Sequence, residues 1–466
     1  MIVSDNLMEI VNEKNDRAEY QSALDLILPV LNEHKTDYAL WIGAGNAYYG
    51  LRRFKEAEQA YLKAASLPST DVVALANLVG VYFETARFKE GLAVCDQALA
   101  ERPDDFNVLV HKGNILSSLD RHGEAIDFYQ KALKVSPNDL LVLFNLANAL
   151  AATGQTDSAE EIYRRLLAVS PNDAEYLYAY AVFLESKEDF VRAAKTYLRL
   201  LQIKENATTH VTLSGCLYNL QLKGETDRVL YLTDEWLSLF PDNPIAEHML
   251  ETLKGSNDLK RASAAYVQEL FDAFADSFDS VLNGLEYQAP SLIATAVKKI
   301  SFDRPPSILD LGCGTGLCAA AMKEAGLCFS SLAGVDLSAE MLKKADQRQL
   351  YAALYQDDIV SFLPSCPSRF DLAVSADVFT YMGDLSKVFS GLSIAVKSGG
   401  RIVFTVSENT EGVGYALEPS GRFMHSKEYV INELRSNFDI EEIQSVTLRQ
   451  ELGKPVAGLL IVGKKI

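Results

Sequence analysis

Cysteine, histidine and tryptophan are scarce in this sequence, and long apolar runs are missing. Among 466 residues there are six cysteines, six histidines and two tryptophans. The cysteines lack the paired spacing of a zinc site, and their scatter is typical of reduced thiols. No apolar stretch approaches the ~20 residues that cross a bilayer, and no basic-then-apolar leader precedes Met8. We therefore expect a cytoplasmic protein without a metal site or a membrane segment.

Basic residues are also outnumbered, because 44 Lys and Arg stand against 63 Asp and Glu, a formal net charge of −19. Nucleic-acid binding depends on basic patches that neutralise phosphates, so no nucleic-acid partner is expected, although a local basic patch stays compatible with the total. The length exceeds the size at which one hydrophobic core keeps growing. At least two domains are expected.

The first half of the sequence repeats with a period of 34 residues. Pro103, Pro137 and Pro171 are separated by this interval, and each follows an amphipathic pattern. Alignment on the period gives seven units, which start at Ser4, Tyr38, Val72, Phe106, Leu140, Ala174 and Thr208. Such a period predicts an all-α solenoid of helical hairpins. Small and aromatic residues recur at fixed offsets within the units, which resemble tetratricopeptide repeats.

A turn-rich stretch follows the last repeat. Residues 241–244 read Pro-Asp-Asn-Pro and residues 255–258 read Gly-Ser-Asn-Asp, with one short helix between them. We predict a solenoid over residues 1–241, a linker with a capping helix over 242–262, and a second domain over 263–466.

The second domain carries a glycine-rich turn. Residues 308–316 read Ile-Leu-Asp-Leu-Gly-Cys-Gly-Thr-Gly, so an apolar strand runs through an acid into three glycines spaced two apart. Glycine permits a close approach of the backbone to a ligand, and the following helix points its N-terminal amides at the same crevice. A second apolar strand ends at Asp336, 20 residues past Gly316, where nucleotide-binding folds place a carboxylate for ribose hydroxyls. The two strand ends predict a nucleoside site.

The spacing of the glycines separates two kinds of nucleoside site. A dinucleotide-binding turn needs a third glycine three residues after the second, and this sequence lacks it. Residues 310–316, together with Gly-Val-Asp-Leu-Ser at 334–338, resemble class I S-adenosylmethionine methyltransferases, and the resemblance covers roughly residues 266–465. The combination of repeats with this domain resembles the predicted tetratricopeptide-repeat methyltransferases of bacteria.

Strands alternate with helices through the second domain. We predict strands at residues 307–311, 332–337, 352–359, 370–376, 401–406, 440–449 and 456–462. Alternation predicts a parallel sheet, and the last two strands must be antiparallel because their connection is too short for a crossover. This is the seven-stranded, Rossmann-like pattern of class I methyltransferases. The fold is thus predicted to be multidomain, an all-α solenoid followed by an α/β domain.

The resemblance implies a set of cofactor contacts at the carboxyl ends of the strands. Asp310 would orient the glycine turn and the amino group of S-adenosylmethionine, or alternatively only stabilise the turn. Asp336 would accept both ribose hydroxyls. Asp358 would receive the adenine amino group, with Asp357 as the alternative. The predicted cofactor-binding residues are Asp310, Gly312, Cys313, Gly314, Gly316, Asp336, Leu337, Met341, Asp358, Ile359, Ala376 and, as a lid or substrate contact, Tyr266.

A sulfonium already carries an activated methyl group, so the protein mainly has to align a nucleophile and exclude water. A general base is needed where the acceptor must lose a proton. The candidate catalytic residues are Asp377, Tyr381, Glu408 and His425, the last with an alternative role at the start of a helix. Residues 375–379 lack the Asn/Asp-Pro-Pro-aromatic turn of amide or adenine methylation, and no Pro-Cys nucleophile for cytosine methylation is in place.

Asparagines recur on the first helices of the repeats, at offsets predicted to face the concave groove. They are Asn46, Asn77, Asn114, Asn145 and Asn148. Asparagine can pair with any extended peptide backbone, although the amides could instead satisfy groups between adjacent helices. We expect methylation of a protein or peptide held by the solenoid. Two alternatives stay open: a small-molecule methyltransferase that uses the repeats for assembly, and a non-catalytic scaffold that binds the cofactor.

Overall fold

The computed structural model describes residues 2–68, 72–255, 259–451 and 453–466. The chain divides into two compact units, Met1–Lys187 and Glu188–Ile466. They are called the first and the second unit below.

The first unit consists of helical hairpins. Its helices are α1 (Ile2–Asp16), α2 (Tyr20–Glu33), α3 (Tyr38–Gly50), α4 (Phe54–Ala65), α5 (Val73–Glu84), α6 (Phe88–Glu101), α7 (Phe106–Ser118), α8 (His122–Val135), α9 (Leu140–Ala152), α10 (Thr156–Val169) and α11 (Ala174–Ser186). The starts of α3, α7, α9 and α11 coincide with the predicted repeat starts. Asp105, Asp139 and Asp173 cap three of these helices at 34-residue intervals, each accepting a backbone N–H of the first turn.

Small residues let the two helices of a hairpin approach each other. A β-carbon added to Gly113 of α7 would lie 2.5 Å from the ring of Tyr129 on α8, and the ring is buried. Gly45 of α3 and Tyr61 of α4 make the same contact two hairpins earlier in the chain. The glycine and tyrosine offsets of the repeat are therefore a packing pair.

Helices continue into the second unit before the sheet begins. They are α12 (Phe190–Ile203), α13 (Ala207–Leu222), α14 (Thr226–Leu239), α15 (Pro244–Lys254), α16 (Ala264–Phe274), α17 (Phe278–Gly284) and α18 (Ala289–Lys298). Because α13 and α15 pack against α16, the last repeat helices belong to the same compact unit as the sheet. The helix predicted inside the linker is α15, and residues 256–258 of that linker lie outside the described residues. The domain limits at 241 and 262 stay predictions.

The second unit contains a seven-stranded sheet. Its strands and helices are β1 (Ser307–Leu311), α19 (Leu317–Glu324), β2 (Ser331–Asp336), α20 (Ala339–Gln347), β3 (Ala353–Gln356), α21 (Ile359–Phe362), β4 (Phe370–Ser375), α22 (Ser386–Ala395), β5 (Val396–Ser407), β6 (Tyr415–Leu417), β7 (Phe423–His425), α23 (Lys427–Leu434), β8 (Phe438–Glu451) and β9 (Lys454–Lys465). The order is β3-β2-β1-β4-β5-β9-β8. Strands β1 to β5 pair in parallel and β9 is antiparallel to both neighbours, which confirms the predicted fold class.

Two details differ from the sequence prediction. Strand β3 ends at Gln356, because Asp358 instead accepts the N–H of Val360 (2.8 Å) and caps α21. A separate two-stranded sheet forms from β6 and β7, whose three-residue strands are too short to leave a periodic signal.

Both faces of the large sheet are covered. Leu309 and Leu311 of β1 face one core with Phe389 of α22, while Ile308 faces the other core with Met322 of α19. The strand order reverses between β1 and β4. In open α/β sheets the crevice beyond the carboxyl ends at such a point binds ligands.

The glycine and tyrosine contact predicts a stability difference. We expect Gly113→Ala to lower the free energy of unfolding by ~1–3 kcal/mol, because the new methyl group overlaps the Tyr129 ring. Gly123→Ala on α8 is the matched control, since an added β-carbon there meets nothing within 4 Å and should stabilise the helix by ~0.5–1 kcal/mol. Urea unfolding followed by circular dichroism measures both. Equal midpoints for Gly113→Ala and the wild type would contradict the packing.

Candidate functional site

A cavity of about 420 Å³ lies at the carboxyl ends of β1, β2 and β4. The predicted residues that line it are Gly312, Gly314, Asp336, Leu337, Asp358, Ile359, Ala376, Asp377 and Tyr381. Nine of the predicted site residues therefore meet at one cavity. They lie at the ends of β1, β2, β3 and β4 or in the segments that follow these strands.

The glycine turn forms the floor of this cavity. Gly312 and Gly314 have φ values of 60° and 53°, which glycine adopts without strain. A β-carbon added to Gly314 would meet only the ring of Phe278, at 3.9 Å, so it would project into the space beneath that ring. The N–H of Cys313 donates to the carbonyl of Val335 (3.1 Å) and fastens the turn to β2.

Asp336 links the second strand to the glycine turn. Its two carboxylate oxygens accept the N–H of Gly314 (2.8 Å) and the N–H of Ser338 (2.9 Å). Burial raises the pKa of Asp336, although these backbone donors act to lower it. Each carboxylate oxygen keeps a further acceptor position. The residue therefore has the position and the chemistry to receive a vicinal diol.

Asp310 lies beneath the cavity and does not line it. Its side chain is buried and accepts the hydroxyl of Tyr351 (2.7 Å). Burial raises the pKa of Asp310 to about 7. The carboxyl is thus bonded to Tyr351, and both roles of Asp310 stay predictions.

Asp358 lines the cavity at the start of α21. It forms an ion pair with Arg261, which also lines the cavity. Burial acts to raise the pKa of Asp358, but the hydrogen bond and charge of Arg261, together with backbone donors such as Val360, outweigh it and the pKa is lowered. The carboxylate is thus ionised and available to a donor such as an exocyclic amine.

Helices α16 and α17 cover the cavity. Phe271, Phe274 and Phe278 recur at helical spacing in the sequence, and all three line the cavity. Three aspartates, on these helices or between them, contact the glycine turn and α20 with its flanking residues. The pairs are Asp272 with Ser338 (2.6 Å), Asp276 with Lys344 (2.7 Å), and Asp279 with both Thr315 (2.5 Å) and Arg348 (2.5 Å). We call the two helices and these contacts the lid.

Asp377 marks the inner end of the cavity. Its φ of 60° is uncommon for a residue other than glycine, and its N–H donates to the hydroxyl of Thr405 (2.9 Å). One carboxylate oxygen accepts from Arg449 (2.7 Å), whereas Oδ1 is buried with no hydrogen-bond partner among the described residues. Burial raises the pKa of Asp377, although Arg449 acts to lower it. Strain and an unpaired oxygen at one residue are typical of a functional position.

Charged side chains continue from Asp377 along the inner wall. The guanidinium of Arg449 also donates to Glu451 (3.2 Å), and Glu451 accepts from Arg422 (3.1 Å). All four residues line the cavity. They form an alternating series of two acids and two guanidiniums, called the charge series below.

Some predicted residues lie outside the cavity lining. They are Asp310, Cys313, Gly316, Met341, Tyr266 and His425, and the further candidate Glu408. Cys313 and Met341 are buried, and Gly316 begins α19. Tyr266 stacks on His248, with ring centroids 3.9 Å apart.

His425 is enclosed in the protein interior. Its Nε2 donates to the carbonyl of Gly383 (3.1 Å), and its ring stacks on Tyr429. Burial lowers the pKa of His425 to about 4. The structure gives this side chain a packing role and brings no part of it to the cavity.

Sequence reasoning missed the basic side chains of the site. Arg261 precedes the lid, Arg422 follows a turn, and Arg449 with Glu451 ends β8. These four belong to no motif, and their approach depends on the antiparallel end of the sheet. Among the further cavity residues, only Phe271, Phe274 and Phe278 form a visible pattern in the sequence. Their helical spacing fits core packing equally well.

The asparagines of the first unit form a ladder between neighbouring helices. Oδ1 of Asn46 accepts from Asn77 of the next repeat (3.0 Å) and from the hydroxyl of Tyr61 (2.9 Å). These amides therefore satisfy groups between adjacent helices, as the alternative reading had it, and remain partly exposed.

The same arrangement recurs two repeats later. Oδ1 of Asn114 accepts from Asn145 (3.0 Å) and from Tyr129 (2.9 Å). Asn148 is exposed and accepts the hydroxyl of Tyr163 (2.5 Å). The amide oxygens of Asn114 and Asn148 are occupied, so a partner contact would use the remaining exposed part of these side chains.

Among the described residues, no group of three or more His, Cys, Asp or Glu side chains could hold a metal ion. Among the described helices, none has both the length and the apolar character of a bilayer-crossing segment.

Family models match both parts of the chain. A model described as a methyltransferase domain matches residues 309–404. Three models described as tetratricopeptide repeats match residues 38–71, 79–139 and 118–183.

Curated relatives match a smaller part of the chain. A malonyl-[acyl-carrier protein] O-methyltransferase of Pseudescherichia vulneris is 34% identical over 146 residues, which cover 31% of this chain and 53% of the relative. A ubiquinone biosynthesis O-methyltransferase of Serratia proteamaculans is 29% identical over 140 residues, covering 27% and 56%. The chain spans about half the length of these relatives.

Solved structures resemble separate parts of the chain. The TPR protein YrrB, described with an unusual peptide-binding site, covers 42% of this chain and 97% of its own, at 21% identity and a TM-score of 0.36. The 1,6-didemethyltoxoflavin-N1-methyltransferase of Burkholderia thailandensis, bound to S-adenosylhomocysteine, covers 42% and 87%, at 19% identity and a TM-score of 0.34.

The buried carboxyl beneath the glycine turn predicts a pH effect on stability. In the unfolded chain Asp310 ionises near pH 3.8, whereas its pKa in the fold is about 7. Ionisation therefore favours the unfolded chain as pH rises through this window, and the loss is complete above pH 7. We expect Asp310→Asn to gain stability over the wild type between pH 4 and 7, by up to ~4 kcal/mol.

Chemical unfolding at several pH values, without added ligand, measures this difference. Asp346→Asn, at an exposed carboxylate on α20, is the control and should follow the wild type. A gain from Asp310→Asn that did not change with pH would contradict the assignment.

Proposed function

Because the chain joins tetratricopeptide repeats to a class I methyltransferase domain, we propose that it is an S-adenosylmethionine-dependent methyltransferase. Its acceptor is a protein or peptide, or a group that a protein carries, recruited by the repeats. The observation that carries the proposal is the cavity in which the glycine turn, Asp336 and Asp358 meet at the reversal of strand order.

The residues present fit S-adenosylmethionine. Gly314 leaves open the space that a β-carbon would fill, Asp336 presents acceptors for a ribose diol, and Asp358 is held ionised for an amino group. The bound cofactor supplies an activated methyl group on a sulfonium. Ala376 and Asp377, at the end of β4, border the remaining part of the cavity.

The chain's own residues have three tasks in this reaction. The phenylalanines of the lid exclude water, and the aspartates of the lid hold it on the glycine turn and on α20. Asp377 is the favoured group to take a proton from the acceptor, because its Oδ1 has no other partner among the described residues. Tyr381 is the second candidate.

The two curated relatives are both named O-methyltransferases, which favours oxygen as the methylated atom. One name describes an acyl group on a carrier protein, and the other a step of ubiquinone biosynthesis. A small-molecule acceptor, with the repeats used for assembly, is accordingly the second candidate function. The proposal includes a cytoplasmic location, which suits six cysteines that are all free thiols.

Removal of the ribose-binding carboxylate tests the cofactor. We expect Asp336→Ala to weaken S-adenosylmethionine binding by about 10- to 100-fold, because a hydrogen bond to a charged group contributes ~1.5–3 kcal/mol. Titration calorimetry of the full chain measures the affinity, and Asp346→Ala on α20 is the matched control. If the wild type produces no heat with S-adenosylmethionine, the methyltransferase proposal fails.

Alanine substitutions on the repeats test the recruitment of a protein acceptor. We expect replacement of Asn114, Asn145 and Asn148 together to lower methylation of the true partner without changing cofactor affinity. The assay supplies methyl-labelled S-adenosylmethionine to an extract of cells that lack this protein, and separates label in proteins from label in small molecules. Label confined to small molecules favours the second candidate function.

A control variant without two tyrosine hydroxyls separates acceptor recognition from the stability of the repeats. Tyr129→Phe combined with Tyr163→Phe removes the bonds to Asn114 and Asn148 but leaves the amides in place. This variant should label the partner as the wild type does. Equal labelling by the triple alanine variant, below saturation with partner, would remove the ladder from acceptor recruitment.

A further inference from the structure

A second pocket of about 190 Å³ lies in the second unit, between the last repeat helices and the sheet domain. Tyr218 of α13 and Met249 of α15 line one side, and Tyr266 of α16 lines another. Gly215 of α13 is exposed at its edge, and a β-carbon there would meet nothing within 4 Å. The pocket therefore opens to solvent beside a helix of the seventh predicted repeat.

The turn before β7 closes one side of this pocket through a hydrogen bond. Nε2 of His248 donates to the carbonyl of Gly421 (2.9 Å), and burial lowers the pKa of His248, so the ring is neutral. Gly421 has a φ of 78°, and a β-carbon there would lie 3.0 Å from the same Nε2. The wall is thus built by direct contact between α15 and the turn before β7.

The second pocket and the cofactor cavity adjoin. Leu270, Tyr381, Arg422 and Glu451 line both. Arg449 then donates to Glu451 and to Asp377, so a single guanidinium spans from the shared wall to the inner end of the cavity. A molecule bound in the second pocket would extend from there toward the charge series.

The charged side chains that line this junction balance in number. Asp377 and Glu451 face Arg449 and Arg422, and among the described residues that line the second pocket Arg422 and Glu451 are the only charged ones. An anionic acceptor would approach two carboxylates, and a cationic one would approach two guanidiniums. A neutral acceptor meets neither penalty.

Two buried polar atoms of residues that line the cofactor cavity lack a partner among the described residues. They are Oδ1 of Asp377 and Oγ1 of Thr380. A carboxylate oxygen can only accept, whereas a threonine hydroxyl can donate or accept. A hydroxyl group suits either atom, since it donates to Asp377 or accepts from Thr380.

From these observations we infer that the second pocket binds the methyl acceptor, and that the acceptor is a neutral, hydroxyl-bearing group about one aromatic ring in size. A cavity of ~150 Å³ is enough to hold benzene, so 190 Å³ accommodates one ring. The hydroxyl oxygen bonds to the methyl carbon as the carbon–sulfur bond breaks. Its proton passes to Oδ1 of Asp377, which balances the charge lost by the sulfonium. The inference rests on the proposed function.

Binding of three matched probes to the full chain tests the acceptor class. Phenol, benzoate and benzylamine share one ring and differ in charge. With S-adenosylhomocysteine present, saturation-transfer NMR should show phenol bound at least 10-fold more tightly than either charged probe. Preferred binding of benzoate or benzylamine, or no binding of phenol, overturns the inference.

Substitutions locate the probe. Gly215→Leu should fill the second pocket and weaken phenol binding at least 10-fold, while S-adenosylhomocysteine affinity by calorimetry stays within two-fold. Gly123→Leu on α8, at another glycine whose added β-carbon meets nothing, should change neither. Unchanged phenol binding in Gly215→Leu overturns the location. Absence of S-adenosylhomocysteine binding in the wild type instead refutes the proposed function itself.

Methyl transfer separates chemistry from binding. We expect the full chain to convert phenol to anisole with labelled S-adenosylmethionine, and Asp377→Asn to keep phenol binding but lower the rate by at least 100-fold. An unchanged rate in Asp377→Asn overturns the role of Oδ1. N-acetyltyrosinamide as a fourth probe identifies the source of the hydroxyl. Tighter binding than phenol supports a polypeptide, weaker binding supports a free small molecule, and either agrees with the pocket.

Discussion

The pairing of one buried guanidinium organises the acceptor side of this protein. Arg449 is 4% exposed, and a charge so far from water is tolerated only where acids surround it. Asp377 and Glu451 provide those acids from the end of β4 and the end of β8. The requirement to pair Arg449 therefore ties the antiparallel edge of the sheet to its parallel centre. The other carboxylate oxygen of Asp377 is buried without a hydrogen-bond partner among the described residues.

The cofactor side depends on a weaker and more distributed set of contacts. Asp336 joins β2 to the glycine turn through backbone donors, so the floor of the site is set by main-chain geometry. The lid is held by aspartates that are partly exposed, and exposed ion pairs contribute little each. A rigid floor under a weakly held cover suits a site through which a cofactor has to enter and a product has to leave.

The sequence was most informative where function is carried by backbone conformation and strand ends. The glycine turn, Asp336 and Asp358 follow strands whose apolar pattern is strong, and the repeat starts follow a strict period. Asp310 shows the limit of this reasoning, because its carboxyl bonds to the hydroxyl of Tyr351, which lies 41 residues away in the sequence. Arg422 and Arg449 were not predicted. No sequence pattern indicates which arginine side chains will reach the end of β4.

The contact of α13 and α15 with the lid helix α16 has a consequence for how such a protein can be modified over evolution. Hairpins upstream of α12 repeat a self-contained packing rule, so their number can grow or shrink without disturbing the chemistry. The last repeat hairpin lacks this freedom, because its helix α13, together with α15, walls a pocket of the second unit. Modularity in this chain therefore ends before the last repeat.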